Sequence, residues 1–208
     1  KDFPEALQLS RHMPAVLLNR ITDEPELSYI AVDYVEASCR IIRRFLENGA
    51  KNIMLADGTS QPELSYTRFS RELGYRKAYE QLGRKVNEEL ILQYLRTEWY
   101  ETIAEKLIRF RPDVIFVSCE VVMSPVCSAL KAQGESLGKK VHLFCFDDLQ
   151  DFTMSDIGSI SYGRMPFRAM CTRAIEYLSG RLRKTIPDEP IHEIYPLSYV
   201  ITECPFLI

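Results

Sequence analysis

Apolar residues fall along this chain in two alternating patterns. Short, nearly continuous apolar runs occur at 13–19 (MPAVLLN), 27–33 (LSYIAVD), 52–58 (NIMLADG), 113–119 (DVIFVSC) and 141–147 (VHLFCFD). Such runs predict strands buried on both faces, as in a parallel sheet covered by helices. Between them, apolar residues recur at helical spacing. Ala37, Ile41, Ile42 and Phe45 predict a helix over 34–48 that stops at Gly49. Leu73, Ala78 and Leu82 predict an inward face on a helix over 68–82, and residues 60–66 read as a loop. A strand over 89–95 precedes a helix that Thr97 can cap and that runs to Phe110. Residues 120–133 read as a helix with Pro125 in its first turns. Residues 156–161 read as a short extended piece. Residues 166–182 form a helix with Met170, Ala174, Tyr177 and Leu178 inward, and 190–203 an irregular edge strand holding two prolines.

This strand–helix order predicts an α/β fold, an open parallel sheet with helices on both faces. The first strand follows a helical remnant, PEALQLSRH, and a doubly wound domain seldom starts on the tail of a helix. That predicts a piece of something longer. Three of the apolar runs close on an acidic residue: 27–33 ends at Asp33, 113–119 is followed by Glu120, and 141–147 ends at Asp147. Ligands of open parallel sheets sit outside the carboxyl ends of the strands. The strand ends at Asp33, Gly58, Cys119 and Asp147 are therefore expected to share one rim.

Composition narrows the function classes. The chain has 208 residues, 46% of them hydrophobic, enough for a substantial core. Its 26 basic and 29 acidic residues give a net charge of −3 without a basic block, so no nucleic-acid footprint is visible. No apolar run reaches the length of a membrane span. Six cysteines without a C-x-x-C pair read as buried thiols of a reducing cytoplasm, and three scattered histidines predict no metal site. No cofactor-binding loop appears, since Asp57-Gly58 is a lone turn.

Five stretches together resemble one family. They are PAVLLNR (14–20), YIAVDYVEASCRIIRRFLENGAKNIMLADG (29–58), RELGYRKAYEQLG (71–83), RPDVIFVSCEVVMSPVCSALKAQG (111–134) and VHLFCFDDL (141–149). In this order and spacing they resemble the effector-sensing part of bacterial transcription regulators of the LacI/GalR family, whose fold is that of type I periplasmic binding proteins. The resemblance implies a cleft between two subdomains. Residues 1–28 and 163–185 would be the remnant of the amino-side subdomain. Residues 33–158 and 190–204 would be the carboxyl-side, effector-binding subdomain. It also implies a DNA-binding head outside this chain, a homodimer, a cytoplasmic protein and no enzymatic activity.

The resemblance further implies ligand contacts at Asn19, Tyr34, Arg71, Trp99, Glu120, Asp147 and Tyr162. Arg71 holds the position of the family's ligand-contacting arginine, three residues before the glycine of a Gly-Tyr pair. Asp147 holds that of its acidic residue after the strand end. Each has a plainer reading: a surface arginine, a helix cap, a packing tryptophan, a glutamate set at a helix amino terminus by the dipole. Cys119-Glu120 stands where the family usually has Asn-Asp, and Tyr162 where glutamine is frequent, which departs from the family's common sugar contacts, while a sugar or sugar derivative stays the effector that the resemblance implies. Two other classes stay open from the residues: an extracytoplasmic sugar-binding protein of the same fold, and a sugar-active hydrolase using paired carboxylates.

Overall fold

The computed structural model describes residues 3–57, 66–92, 99–134, 141–146, 160–202 and 204–206. The chain divides into two units, Lys1–Asp33 with Met165–Ser198, and Tyr34–Arg164 with Tyr199–Ile208.

In the first unit, helix α1 (Pro4–Ser10) leads into strands β1 (Val16–Leu18) and β2 (Ser28–Val32). The chain returns after the second unit as helix α6 (Phe167–Leu182) and strand β8 (His192–Tyr195). The strands form a parallel sheet of order β1-β2-β8, with Val16 opposite Ser28 and Tyr29 opposite His192. Met170, Ala174, Tyr177 and Gly180, spaced for one helical face, are the buried residues of α6, and Leu178, expected inward, is half-buried. Tyr177 Oη and Ser28 Oγ share a hydrogen bond of 2.7 Å, which gives this buried phenol its partner.

The second unit holds α2 (Tyr34–Glu47), β3 (Ile53–Ala56), α3 (Tyr66–Gln81), a 3₁₀ turn (Glu88–Leu90) and β4 (Ile91–Leu92). After these come α4 (Trp99–Phe110), β5 (Val114–Val117), α5 (Glu120–Ala132), β6 (His142–Cys145), β7 (Ile160–Arg164) and β9 (Ser198–Val200). Its sheet has the order β4-β3-β5-β6-β7-β9, and β4 through β7 pair parallel. All four residues of each of β3, β5 and β6 are buried, as the continuous apolar runs require. Successive side chains alternate between the faces. Met54, Ala56, Ile115, Val117, Leu143 and Cys145 join one apolar cluster with Ile103 and Leu107 of α4 and Val122, Met123 and Val126 of α5. On the other face Phe116 and Phe144 stack at 5.4 Å, and Phe45 of α2 meets Phe144 edge-on at 6.0 Å. Tyr75 of α3 donates to the Ile53 carbonyl at 2.8 Å.

Helices α2 and α3 cross very closely. A Cβ built on Gly74 would lie 2.3 Å from the Val35 carbonyl oxygen and 2.6 Å from Ser38 Cβ. No other residue than glycine fits this crossing without displacing backbone.

Several expectations need correction. The chain forms two sheets, so β2, the strand that ends before Asp33, is not a strand of the second unit's sheet. Leu73 is 46% exposed; the buried face of α3 is Ser70, Arg71, Gly74, Tyr75, Ala78 and Tyr79. A 3₁₀ turn occupies 88–90, where a strand is expected, and leaves only Ile91–Leu92 extended among the described residues. Of the expected extended piece at 156–161, residues 156–159 lie outside the described residues, and 160–161 open β7, which runs on to Arg164. The single edge strand expected over 190–203 is two strands in different sheets, β8 and β9, separated at Pro196-Leu197. Proline lacks the N–H that would continue β8. β8 thereby belongs with the first unit and not with the second. Pro125 lies inside α5, in its second turn.

Candidate functional site

In a parallel sheet each crossover helix runs back over the strands, so helix amino termini gather at the strands' carboxyl rim. In the second unit α2 starts there at Tyr34, α4 at Trp99 and α5 at Glu120. The N-cap of α5 is Cys119, whose side chain makes no capping hydrogen bond. Thiols are weak acceptors, and the Cys119 carbonyl instead accepts from the Val122 N–H at 3.1 Å.

Arg71 stands in the second turn of α3, on its buried face, and is only 7% exposed. Its guanidinium carbon lies 4.8 Å above the Tyr34 ring and 5.3 Å from the ring of Phe146, the residue after β6. The two rings meet edge-on at 5.9 Å. Phe146 is itself fixed by Phe116 at 4.9 Å and by its N–H donating to the Val117 carbonyl at 3.1 Å. Arg71 Nε is buried and has no hydrogen-bond partner among the described residues. The glycine three residues on explains the placement. Gly74 lets α3 settle onto α2, and this brings Arg71 down onto Tyr34 at the start of α2.

The remaining sequence candidates fall out differently. Tyr34, 4% exposed, is the ring beneath Arg71. Tyr162 lies on β7 opposite Cys145 and accepts a 3.0 Å hydrogen bond from Arg164 Nη2. Trp99 is 5% exposed and packs in the apolar cluster with Ile103 and Leu107. That gives its ring a packing role. Asn19 belongs to the first unit, after β1, where it takes a left-handed backbone (φ 57°) and donates its N–H to the Ile30 carbonyl at 2.8 Å. Asparagine tolerates that conformation better than most residues. Asp147 and the side chain of Glu120 lie outside the described residues.

Three rim residues escaped sequence reasoning. Phe146 closes the run of 141–147 and was hidden as one more apolar residue. Asp57, 2% exposed, follows β3 as Asp147 follows β6. The run-then-acid pattern that marked Asp147 marks Asp57 equally well. Arg164 ends β7, three residues beyond the extended piece that the sequence predicts.

The six cysteines are free thiols. Burial pushes Cys127 up to about 11 and also raises Cys39, which removes both from thiolate chemistry. Among the described residues no group of His, Cys, Asp and Glu gathers as metal ligands, and no helix is long and apolar enough to cross a membrane.

Residues 42–202 match the periplasmic binding protein-like domain family. The chain belongs to that family. Solved structures share the fold of this periplasmic binding protein-like chain. One is a complex of the transcriptional regulator CelR with cellobiose, at TM-score 0.74 and 20% identity, covering 92% of this chain and 58% of that one. Another is the transcription regulator CcpA of Lactococcus lactis, at TM-score 0.73 and 19% identity, covering 94% and 70%. A third is a regulator of the LacI family from Sanguibacter keddieii, at TM-score 0.74 and 21% identity, covering 92% and 72%. The chain thus spans 58% to 72% of the length of these three proteins. No curated protein matches it by sequence.

Proposed function

We propose that this periplasmic binding protein-like chain is the ligand-sensing part of a bacterial transcription regulator of the LacI/GalR kind. It binds a small polar effector, a sugar or sugar derivative, and performs no chemistry on it. Arg71, Tyr34, Tyr162, Glu120 and Asp147 contact the ligand from the rim of the second unit. Asn19 and Trp99 are kept as lesser candidates, Trp99 acting through packing. Ligand preference for one of two conformations shifts the population and changes DNA binding by a head outside this chain. The working protein is cytoplasmic and a homodimer, the commonest closed assembly.

The observation that carries this reading is Arg71. A permanently charged side chain is 93% withdrawn from water, fixed between two rings, and has an unpartnered donor. Burying such a group without partners costs several kcal/mol, of order 2–5. Chains keep such an arrangement where something else completes it. Solved structures of the fold support the regulatory setting, since they include a regulator in complex with cellobiose.

A thermal-shift screen of the intact protein tests the reading. The panel holds mono- and disaccharides, sugar phosphates, uronates and purines. A ligand bound only by the native state raises the midpoint with the logarithm of its concentration. We expect at least one such response, with no product formed on prolonged incubation. A flat response to the whole panel sinks the sensor reading, and turnover of a glycoside sinks the non-enzymatic one.

A further inference from the structure

We infer that the ligand completing Arg71 presents an oxyanion, a carboxylate or a phosphate, and is not a neutral pyranose. This rests on the ligand-sensing reading and narrows its substrate class.

The argument begins with a contrast on one helix. Arg76, a little over one turn beyond Arg71, is gripped by two carboxylates: Glu72 at 2.8 Å and Glu88 at 2.6 Å. Arg71 is far more buried, yet among the described residues no carboxylate comes within ion-pair distance of it. The guanidinium cannot shed its proton. A buried charge is tolerated when an opposite charge and well-aimed hydrogen bonds meet it. Neutral hydroxyls could satisfy the donors but would leave the charge uncompensated.

Shape points the same way. Rings of Tyr34 and Phe146 lie 4.8 and 5.3 Å from the guanidinium carbon, and the N–H donors lie along the guanidinium's edge. That edge is a fork matched to two oxygens of one carboxylate or phosphate. Two helix amino termini add positive partial charge at this rim. The amino terminus of α2 lies directly beside Arg71, and that of α5, whose N-cap Cys119 gives no side-chain cap, shares the same edge of the sheet. Aligned peptide dipoles place positive partial charge at both ends, and helix amino termini bind oxyanions for that reason. Arg164 ends β7, the strand beside β6, and donates to Tyr162 Oη. The carboxylate of Asp57 follows β3, with β5 standing between that strand and β6. It sits on the opposite flank of the rim from Arg164.

The test uses the intact protein at low ionic strength, with galacturonate, glucose 6-phosphate and inorganic phosphate set against glucose and galactose at equal concentrations. We expect at least one oxyanion probe to raise the melting midpoint, the response to shrink with added salt, and the neutral sugars to give none. Arg71→Gln should weaken the oxyanion response at least tenfold, while Arg71→Lys retains part of it. Unliganded midpoints of both variants show that they fold. Separate responses to galacturonate and to the phosphates tell the two oxyanion sources apart. Stabilisation by neutral sugars without the oxyanions overturns this inference and leaves the sensor reading standing. An oxyanion response unchanged in Arg71→Gln overturns it as well. So does silence from all three oxyanion probes, in which case the broader screen decides the sensor reading alone.

Discussion

Arg71 and Arg76 share a helix and meet opposite fates, and the difference sets what each substitution should do. Arg76 makes ion pairs at the surface, with 36% of its side chain exposed. Exposed pairs contribute about 0–1 kcal/mol. Arg71→Ala loses two ring contacts, about 0.5–1 kcal/mol each, but also removes a buried unsatisfied donor. We expect both alanine variants to lie within about 1 kcal/mol of the parent in urea unfolding. Only Arg71→Ala should lose ligand-induced stabilisation; an Arg71→Ala protein with full ligand response refutes the site. His142 behaves differently. Burial pushes it down to about 4 from its usual 6.5. It is 5% exposed, packed near the Phe45 ring at 5.9 Å, and hydrogen-bonded through Nε2 to Ser161 Oγ at 3.0 Å. Because the folded value is depressed, the unfolded chain takes up the proton first. Stability should therefore fall as pH drops from 6.5 toward 4, by up to about 3 kcal/mol, and level off below. Urea titrations of the parent and His142→Gln across that range check this: the two pH profiles should converge toward pH 4.

The α2–α3 crossing is decided at one position. A Cβ at residue 74 would strike backbone atoms of α2, which cannot rotate away. Gly74→Ala should cost about 1–3 kcal/mol or more by forcing the helices apart, and should also weaken ligand response by lifting Arg71 from Tyr34. Gly83→Ala is the comparison. It has open space around it and a φ of +63°, so only left-handed strain of about 1–2 kcal/mol is at stake, with no effect on binding. Equal ligand responses in the two variants would separate the crossing from the site. Elements of this kind were unevenly legible. The α2 stripe read correctly because Ala37, Ile41, Ile42 and Phe45 are all buried at helical spacing. The face of α3 misread because its buried side carries Ser70, Arg71 and Gly74, while Phe69 and Leu73 face solvent. Hydropathy points the wrong way wherever a helix buries a charge and a close-packed glycine.

At the scale of the whole chain, the α/β class and the parallel pairing follow from the order of apolar runs. Which runs share a sheet does not. Nothing in LSYIAVD distinguishes β2, in the first unit, from the runs that build the second unit's sheet, and the acid at its end misled by analogy. The rim's chemistry was half visible: the arginine and tyrosine through resemblance, the phenylalanine beneath them only through geometry. With a net charge of −3 and no basic block, the chain should retain no DNA duplex in a gel-shift experiment. A salt-sensitive shift on a specific sequence would contradict that. For the intact protein, light scattering should give twice the chain mass; a monomer mass refutes the dimer.

The chain passes from the first unit to the second after Asp33, back after Arg164, and across again after Ser198. That itinerary has a consequence for synthesis. Thr202 donates its backbone N–H to Ser161 Oγ at 3.1 Å, and β9 covers the flank of β7. Both arrive only after Met165–Ser198 has been translated. A nascent chain stalled before then presents β7 as a bare edge, open to pairing with a neighbouring molecule. The second unit's sheet is thus completed only once β9 has been made, and termination before Ser198 should yield insoluble product.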